Sequence, residues 1–371
     1  MANRIIYQSE ALYVGPSPAT GFHLTTGTPA VQVAGPTGNS LVKQLQRIQT
    51  ANYSFNIDRT DVNQFGQLAA IDRVILTSPT VSLDFSYLTS NLANENNLGF
   101  SIQTGATEVA TLKDILQKSS DEKNYFIRTV AEGNDAVGYS TTGVTSNGVI
   151  GIGNGFITSY STEASVGNFP TTTVNVEGLN MNFQKGSNGN TIPAVNPVDG
   201  SSITGTYYIL PTATKNVGTT NTGISALRPG DITLSLPSTF GADATNLNIQ
   251  SYTLSFDLAR TPLERLGSKF AFAREIDFPV TVNLSVEAQM TDLTTGNLAV
   301  LVNDDNATYN PTITIKNGSE NVVKYTLKNC KLDSQEFSSD IGSNKSVTLN
   351  YSAQIGGPQD TDNGLFISGQ Y

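Results

Sequence analysis

His23, in Gly21-Phe22-His23-Leu24, is the one imidazole in 371 residues, and Cys330 is the one thiol. A nucleophile needs a base within hydrogen-bond reach and a third group to orient that base, and the spacing sets neither Ser nor Cys beside His23. One His and one Cys exclude a His-rich metal site, an intramolecular disulfide and a cysteine zinc cluster. Cys330 reads as a small buried residue. Gly151-Ile152-Gly153-Asn154-Gly155 has the look of a phosphate-cradling turn but lacks the third-glycine spacing and a following helix, so a glycine turn or bulge is expected. Asn303-Asp304-Asp305-Asn306 offers oxygen ligands without the alternation or closing Glu of a calcium loop and reads as an exposed turn. No catalytic residue, cofactor or metal is expected.

What chemistry remains is ionic. Arg59 and Arg260 stand at matching places in two similar stretches, as do Arg73 and Arg274. Arginine's fixed fork of donors suits a carboxylate across a subunit or ring boundary; equally, each pair of arginines could fix the turn around Gly66 or Gly267 within its own domain.

Composition bounds the setting. The 21 Lys+Arg and 31 Asp+Glu give a net charge of −10, with only 14% of residues charged. A basic stripe for gripping phosphates is absent, so any relation to DNA is repulsive. The N-terminal Met1 to Gln8 lacks the apolar region of a signal peptide, and there is no apolar run of about 18 residues to span a bilayer. A chain made in the cytoplasm and soluble there is expected. Its 38% hydrophobic residues, clearly patterned, argue against disorder.

The elements that must position these residues are strands. Apolar residues alternate with polar ones at Val280, Val282, Leu284 and Val286, at Val81, Leu83, Phe85 and Tyr87, and again at Leu254, Phe256 and Leu258. The same pattern runs through Tyr53, Phe55 and Ile57, through Val323, Tyr325 and Leu327, and through Val347, Leu349 and Tyr351. This period implies antiparallel sheets with one covered and one open face. Helix signals are confined to Thr111–Lys118, with Leu112, Ile115 and Leu116 on one face, and to Pro262–Ser268, capped by Thr261.

The chain also repeats itself. Ile48-Gln49, Ser54-Phe55, Arg59-Thr60, Gly66, Arg73 and Val81 recur 201 residues later as Ile249-Gln250, Ser255-Phe256, Arg260-Thr261, Gly267, Arg274 and Val282. The spacing falls to 185 at Gly133/Gly318, each in a hairpin-like turn, and to 175 from Val166-Gly167/Ile341-Gly342 onward. Stepwise drift is what loops of different length produce between corresponding strands. The reading is mainly β: two tandem, duplicated antiparallel β-sandwich or half-barrel domains with one or two short helices, residues 1–183 and 243–371. Residues 184–242, rich in Gly, Ser and Thr, form either a flexible linker or an ordered connection adding strands at 206–210 and 231–236.

Three stretches, Gln46 to Thr60, Gln64 to Arg73 and Ser159 to Gly178, resemble the major tail tube proteins of long-tailed bacteriophages. The resemblance spans residues 40–180 and 245–371 and implies two fused tube domains per chain, self-associating as trimers that mimic six-fold rings and stack into tubes. It implies a virion tail assembled in the host cytoplasm, tape-measure, tail terminator and baseplate partners, and passage of DNA without specific binding or membrane insertion. Lumen-facing acids would then lie on polar strand faces, with Asp58, Asp84, Asp257 and Glu287 as candidates; ordinary solvated faces account for them equally. Arg59, Arg73, Arg260 and Arg274 become candidate subunit or ring contacts. Two other readings stay open: a baseplate hub or collar protein, and a carbohydrate-binding or depolymerising tail appendage, which the absence of Trp disfavours.

Overall fold

A computed structural model describes residues 10–16, 42–104, 109–118, 121–137, 148–185, 191–195, 202–209, 227, 230, 232–236, 247–267, 271, 273–292, 308–317, 320–339 and 344–371. The chain opens with β1 (Glu10–Pro16), β2 (Lys43–Gln44), β3 (Ile48–Asn56), β4 (Thr60–Val62), β5 (Asp72–Val74) and β6 (Thr80–Leu88). Two short helices follow, α1 (Ala93–Leu98) and α2 (Lys113–Leu116), then β7 (Glu122–Thr129), β8 (Gly148–Ser165), β9 (Thr171–Gly178) and β10 (Asn180–Lys185). The connection holds β11 (Thr191–Val195), β12 (Ser202–Ile209) and β13 (Ile232–Ser235). The remainder is β14 (Leu247–Asp257), β15 (Arg260–Leu263), β16 (Ala273–Ile276), β17 (Thr281–Met290), β18 (Thr312–Asn317), β19 (Glu320–Lys328), β20 (Lys331–Ser338), β21 (Ser346–Gln354) and β22 (Gly364–Gly369). The fold is mainly β and its ladders are antiparallel, as the alternation requires.

Eight strands run edge to edge as β3-β6-β9-β8-β14-β17-β21-β20. The ladder recurs within this path. Asn52↔Asp84 and Phe55↔Val81 in β3–β6 become Thr253↔Ser285 and Phe256↔Val282 in β14–β17. Phe85↔Val174 becomes Val286↔Leu349, and Tyr160↔Val174 becomes Gln335↔Leu349. Even the irregularities recur: bulges at Ile48/Thr50 and Ile249/Ser251, and at Ile157/Ser159 and Leu332/Ser334. Asn154 and Asn329, 175 residues apart, both hold left-handed backbone (φ 56° and 54°), a conformation Asn tolerates better than most residues. Asn154 lies within β8, and Asn329 lies between β19 and β20.

One face of this sheet is buried. Leu83, Phe85, Tyr160, Val174, Leu254, Val286 and Leu349 join one core with Ile313, Tyr325, Leu327 and Ile367 from a second, four-stranded sheet, β13-β18-β19-β22. β1, β2, β7 and β10 extend the first half around β8, over a smaller cluster of Tyr13, Val42, Phe126 and Val149. β13 therefore adds an edge strand beside β18, while β11 and β12 pair with each other.

Two helix expectations change. The segment from Pro262 is not helical: Thr261↔Glu275 and Pro262↔Arg274 pair as β15–β16, the counterpart of Thr60↔Val74 and Asp61↔Arg73 in β4–β5. Cross-strand pairing overrides the local capping signal, and Gly267 (φ +85°), like Gly66 (φ +88°), closes its hairpin with backbone that favours glycine. At Thr111–Lys118 only Lys113–Leu116 is helical. Lys118 reaches Glu275 at 2.6 Å rather than Asp114, which accepts a hydrogen bond from Ser101.

Candidate functional surface

The open face of the eight-stranded sheet is a continuous surface running across all eight strands. Alternation puts only one phase of each strand there, and apart from Leu88 and Lys331 those positions are Ser, Thr, Asn, Gln and carboxylates. One cross-strand row reads Asn52, Asp84, Asn175, Ser159 and Asp257 over five strands. Another reads Ser165, Ser251, Glu287, Thr348 and Glu336. Glu163 and Glu177 lie at the same phase of β8 and β9. The one basic residue in these eight strands is Lys331, at the start of β20. None of the acids on this face directly opposes another across a ladder, so their mutual repulsion costs the fold little.

Asp84, Asp257 and Glu287 are thus on the open face and exposed, with Ser251 donating to Glu287 at 3.3 Å. Asp58 is not on a strand: it lies in the link between β3 and β4, where its carboxylate accepts from the Asn56 amide at 2.8 Å. Glu163 and Glu177 continue the alternation of their own segments onto this face, whereas Glu336 reaches it only past the bulge at Leu332/Ser334.

The four arginines divide by half. Arg260 donates to both oxygens of Asp121 (2.5 and 3.0 Å), with its side chain 3% exposed and stacked 4.8 Å from the Phe156 ring. Arg274, also buried, pairs with Glu177, and Lys118 pairs with Glu275. Three ion pairs therefore fasten the β15–β16 hairpin to residues of the first half. Arg73 instead pairs with Asp61 on its own hairpin at 2.6 Å, well exposed, while Arg59 is exposed with no ion pair among the described residues.

Beneath the sheet, Glu95 of α1 is fully buried and accepts from Tyr87 (2.8 Å) and Tyr160 (3.2 Å), and the Tyr160 hydroxyl lies 3.3 Å from that of Tyr325. Burial raises its carboxyl pKa to about 7 against the pull of these hydrogen bonds. No sequence signal marked this residue. Cys330 is buried, and loss of solvation pushes its thiol up to about 12, so it is inert at neutral pH. Gly151 to Gly155 lies inside β8, where a Cβ on Gly155 would meet the Tyr125 ring at 2.8 Å; close packing explains that glycine. His23, Asn303 to Asn306, Gly318 and Ile341-Gly342 lie outside the described residues. Among the described residues no cluster of His, Cys, Asp and Glu has metal-site geometry, and no helix is long and apolar enough to cross a membrane.

No family model and no curated protein matches the chain. Among solved structures, it is similar to a chain in the virion of a native gene transfer agent particle, at 14% identity and a TM-score of 0.24, over 35% of this chain and 94% of that one. It is also similar to a chain in the six-fold symmetrised baseplate of the anti-feeding prophage, at 17% identity and a TM-score of 0.24, over 37% and 91%.

Proposed function

We propose that this protein is a structural subunit of a bacteriophage tail tube, built from two copies of one tube domain (residues 1–183 and 243–371) and assembling into stacked rings through which DNA passes. The observation that carries this reading is the β8–β14 joint. There β8, the last strand of the four-strand run β3-β6-β9-β8, pairs with β14, the first strand of the run β14-β17-β21-β20, from Ser159↔Asp257 to Ser165↔Ser251. The outer edges, β3 and β20, are the counterparts of the two edges already joined, so the same joint can be repeated between chains until a ring closes.

Three chains supply twenty-four strands. At about 4.8 Å spacing and about 40° tilt these close at a backbone diameter of roughly 45–50 Å, leaving a bore of roughly 35–40 Å inside the side chains. Two chains would leave roughly 20 Å, too tight for a hydrated duplex, so the trimer is favoured. With the open face inward, carboxylates and hydroxyls line the bore and repel the phosphate backbone instead of binding it. The hairpin tips carry fully exposed Phe65, Leu68 and Leu266, apolar surface suited to covering by a neighbouring ring. Tape-measure, terminator and baseplate proteins are the partners this role implies.

Electron microscopy of the purified protein tests the reading. Rings or tubes with three-fold symmetry, pseudo-six-fold in outline, and a central channel of the stated width are expected. A species that stays monomeric at every concentration sinks it.

A further inference from the structure

We infer that copies of this chain join head to tail through β3 of one and β20 of the next, in the antiparallel register Tyr53↔Phe337, with Arg59 entering the cleft that holds Asp360. The inference rests on the ring reading and specifies the contact that would make the ring.

The register follows from the internal joint. Leu254 faces Thr162 there, and Phe256 faces Tyr160. Shifting β14 back by 201 residues and β8 forward by 175, the spacings that the paired ladders obey, gives Tyr53↔Phe337 and Phe55↔Gln335, flanked by Asn52↔Ser338 and Ser54↔Glu336. Both bulges that frame the internal joint are present on the outer edges, so nothing in the backbone opposes the same alignment.

The side chains at these edges are built for cover they lack within one chain. Phe55 is 61% exposed where its counterpart Phe256 is 1% exposed. Phe337 is 45% exposed where Thr162 is fully buried. Among the described residues neither edge carries a further strand; such an edge with exposed aromatics is a pairing template, and the occupant that matches its register is a second copy of the chain.

The arginines give the same direction. In the internal joint Arg260 sits on Phe156 against Asp121, and Arg274 meets Glu177. The counterparts of Phe156 and Glu177 are Lys331 and Ser352, which line an open cleft of about 480 Å³ together with Asn329, Gln354, Asp360 and Asn363. Ser352 offers no carboxylate for Arg73, and Arg73 has Asp61 on its own hairpin where Arg274 has Pro262 opposite. Arg59 has no such acid, and the cleft supplies one: Asp360, held by the Asn363 amide (2.8 Å) and the Asp362 N–H (2.8 Å). Arg–carboxylate pairing of this kind fixes both position and orientation.

The test uses the full chain. Tyr53→Cys combined with Phe337→Cys is oxidised after assembly, and non-reducing electrophoresis should show covalent multimers ending at the closed ring; Ser54→Cys with Phe337→Cys, one residue out of register, should give few. In a second arm, Arg59→Glu and Asp360→Arg alone should each cut the yield of rings at least tenfold, and the two together should restore it. Rings that form normally without the 53–337 cross-link, or with equal cross-linking out of register, overturn the register while leaving the tube reading intact. Rings undiminished by Arg59→Glu, or no rescue by the double variant, overturn the Arg59–Asp360 contact. A wild-type chain that never assembles overturns the tube reading and this inference together.

Discussion

Arg260 and Asp121, 139 residues apart, form a two-pronged ion pair that is almost wholly buried between the second hairpin and the first half of the chain. Removing one partner strands the other charge without water. Asp121→Ala should therefore destabilise the chain by about 3–5 kcal/mol, whereas Asp61→Ala, which breaks the exposed Arg73 pair, should cost at most about 1 kcal/mol. Urea denaturation of the two variants compares them directly; equal midpoints would show that the buried pair has no special weight.

Glu95 makes stability depend on pH. Its carboxyl pKa rises from an ordinary 4.5 to about 7 in the folded chain, so the folded state holds the proton more tightly than the unfolded state. The benefit of the neutral form is complete below the unfolded value and is lost as pH climbs through 7. The loss reaches about 3 kcal/mol in alkali, at about 1.4 kcal/mol per pH unit. Glu95→Gln, neutral throughout, should flatten this part of the melting temperature profile between pH 5 and pH 8. A variant whose profile parallels the wild type would assign the pH dependence elsewhere.

The open sheet face permits a test of repulsion. Asp84→Lys, Glu163→Lys and Asp257→Lys change exposed side chains without touching the core, so each should alter stability by no more than about 0.5 kcal/mol. Combined in one chain they should make assembled tubes retain duplex DNA at low salt and release it as salt rises. Co-sedimentation reads this, and tubes that still exclude DNA would show that these positions do not line the channel.

Phe65→Ser with Leu68→Ser and Leu266→Ser alters only the hairpin tips. Folding and ring formation should be unchanged, while stacking should weaken so that single rings outnumber tubes in electron micrographs. Tubes of wild-type length would remove the tips from the stacking contact.

Much of this architecture is legible in the residues because it is local or periodic. The alternation at Val280 to Glu287 fixes which side chains of β17 are covered, and the 201-residue spacing anticipates the matched registers of β3–β6 and β14–β17. Pro262 misleads because a proline after Thr, followed by Glu two residues on, imitates a helix start, while the partner that makes it a strand lies twelve residues away at Arg274. Ala93–Leu98 is invisible for the opposite reason. Its Asn-rich sequence has little helical preference, and the segment is held by tertiary bonds between the Asn94 side chain and the backbone of Gln46 and between Glu95 and Tyr87. Glu163 of β8 and Glu177 of β9 follow from the alternation of their segments, while Glu336 of β20 does not, because the bulge at Leu332/Ser334 shifts its phase. That β8 would lie beside β14 is a long-range pairing with no local trace.

The β8–β14 joint has a mechanical consequence for the proposed ring. Because it lies within one chain, it forms at a fixed, high effective concentration and cannot be lost by dilution, whereas the inferred β20–β3 joint would depend on encounter. A ring of such chains has two kinds of seam in strict alternation, one permanent and one reversible. Strain on the wall would open every second seam first, and such a ring has half as many seams between chains as a ring of single domains. In the proposed ring, fused copies would also let neighbouring sectors of the wall diverge in sequence, as Pro262 and Asp61 do at matching hairpin places, so the outer surface could carry two different sets of contacts around one circular bore.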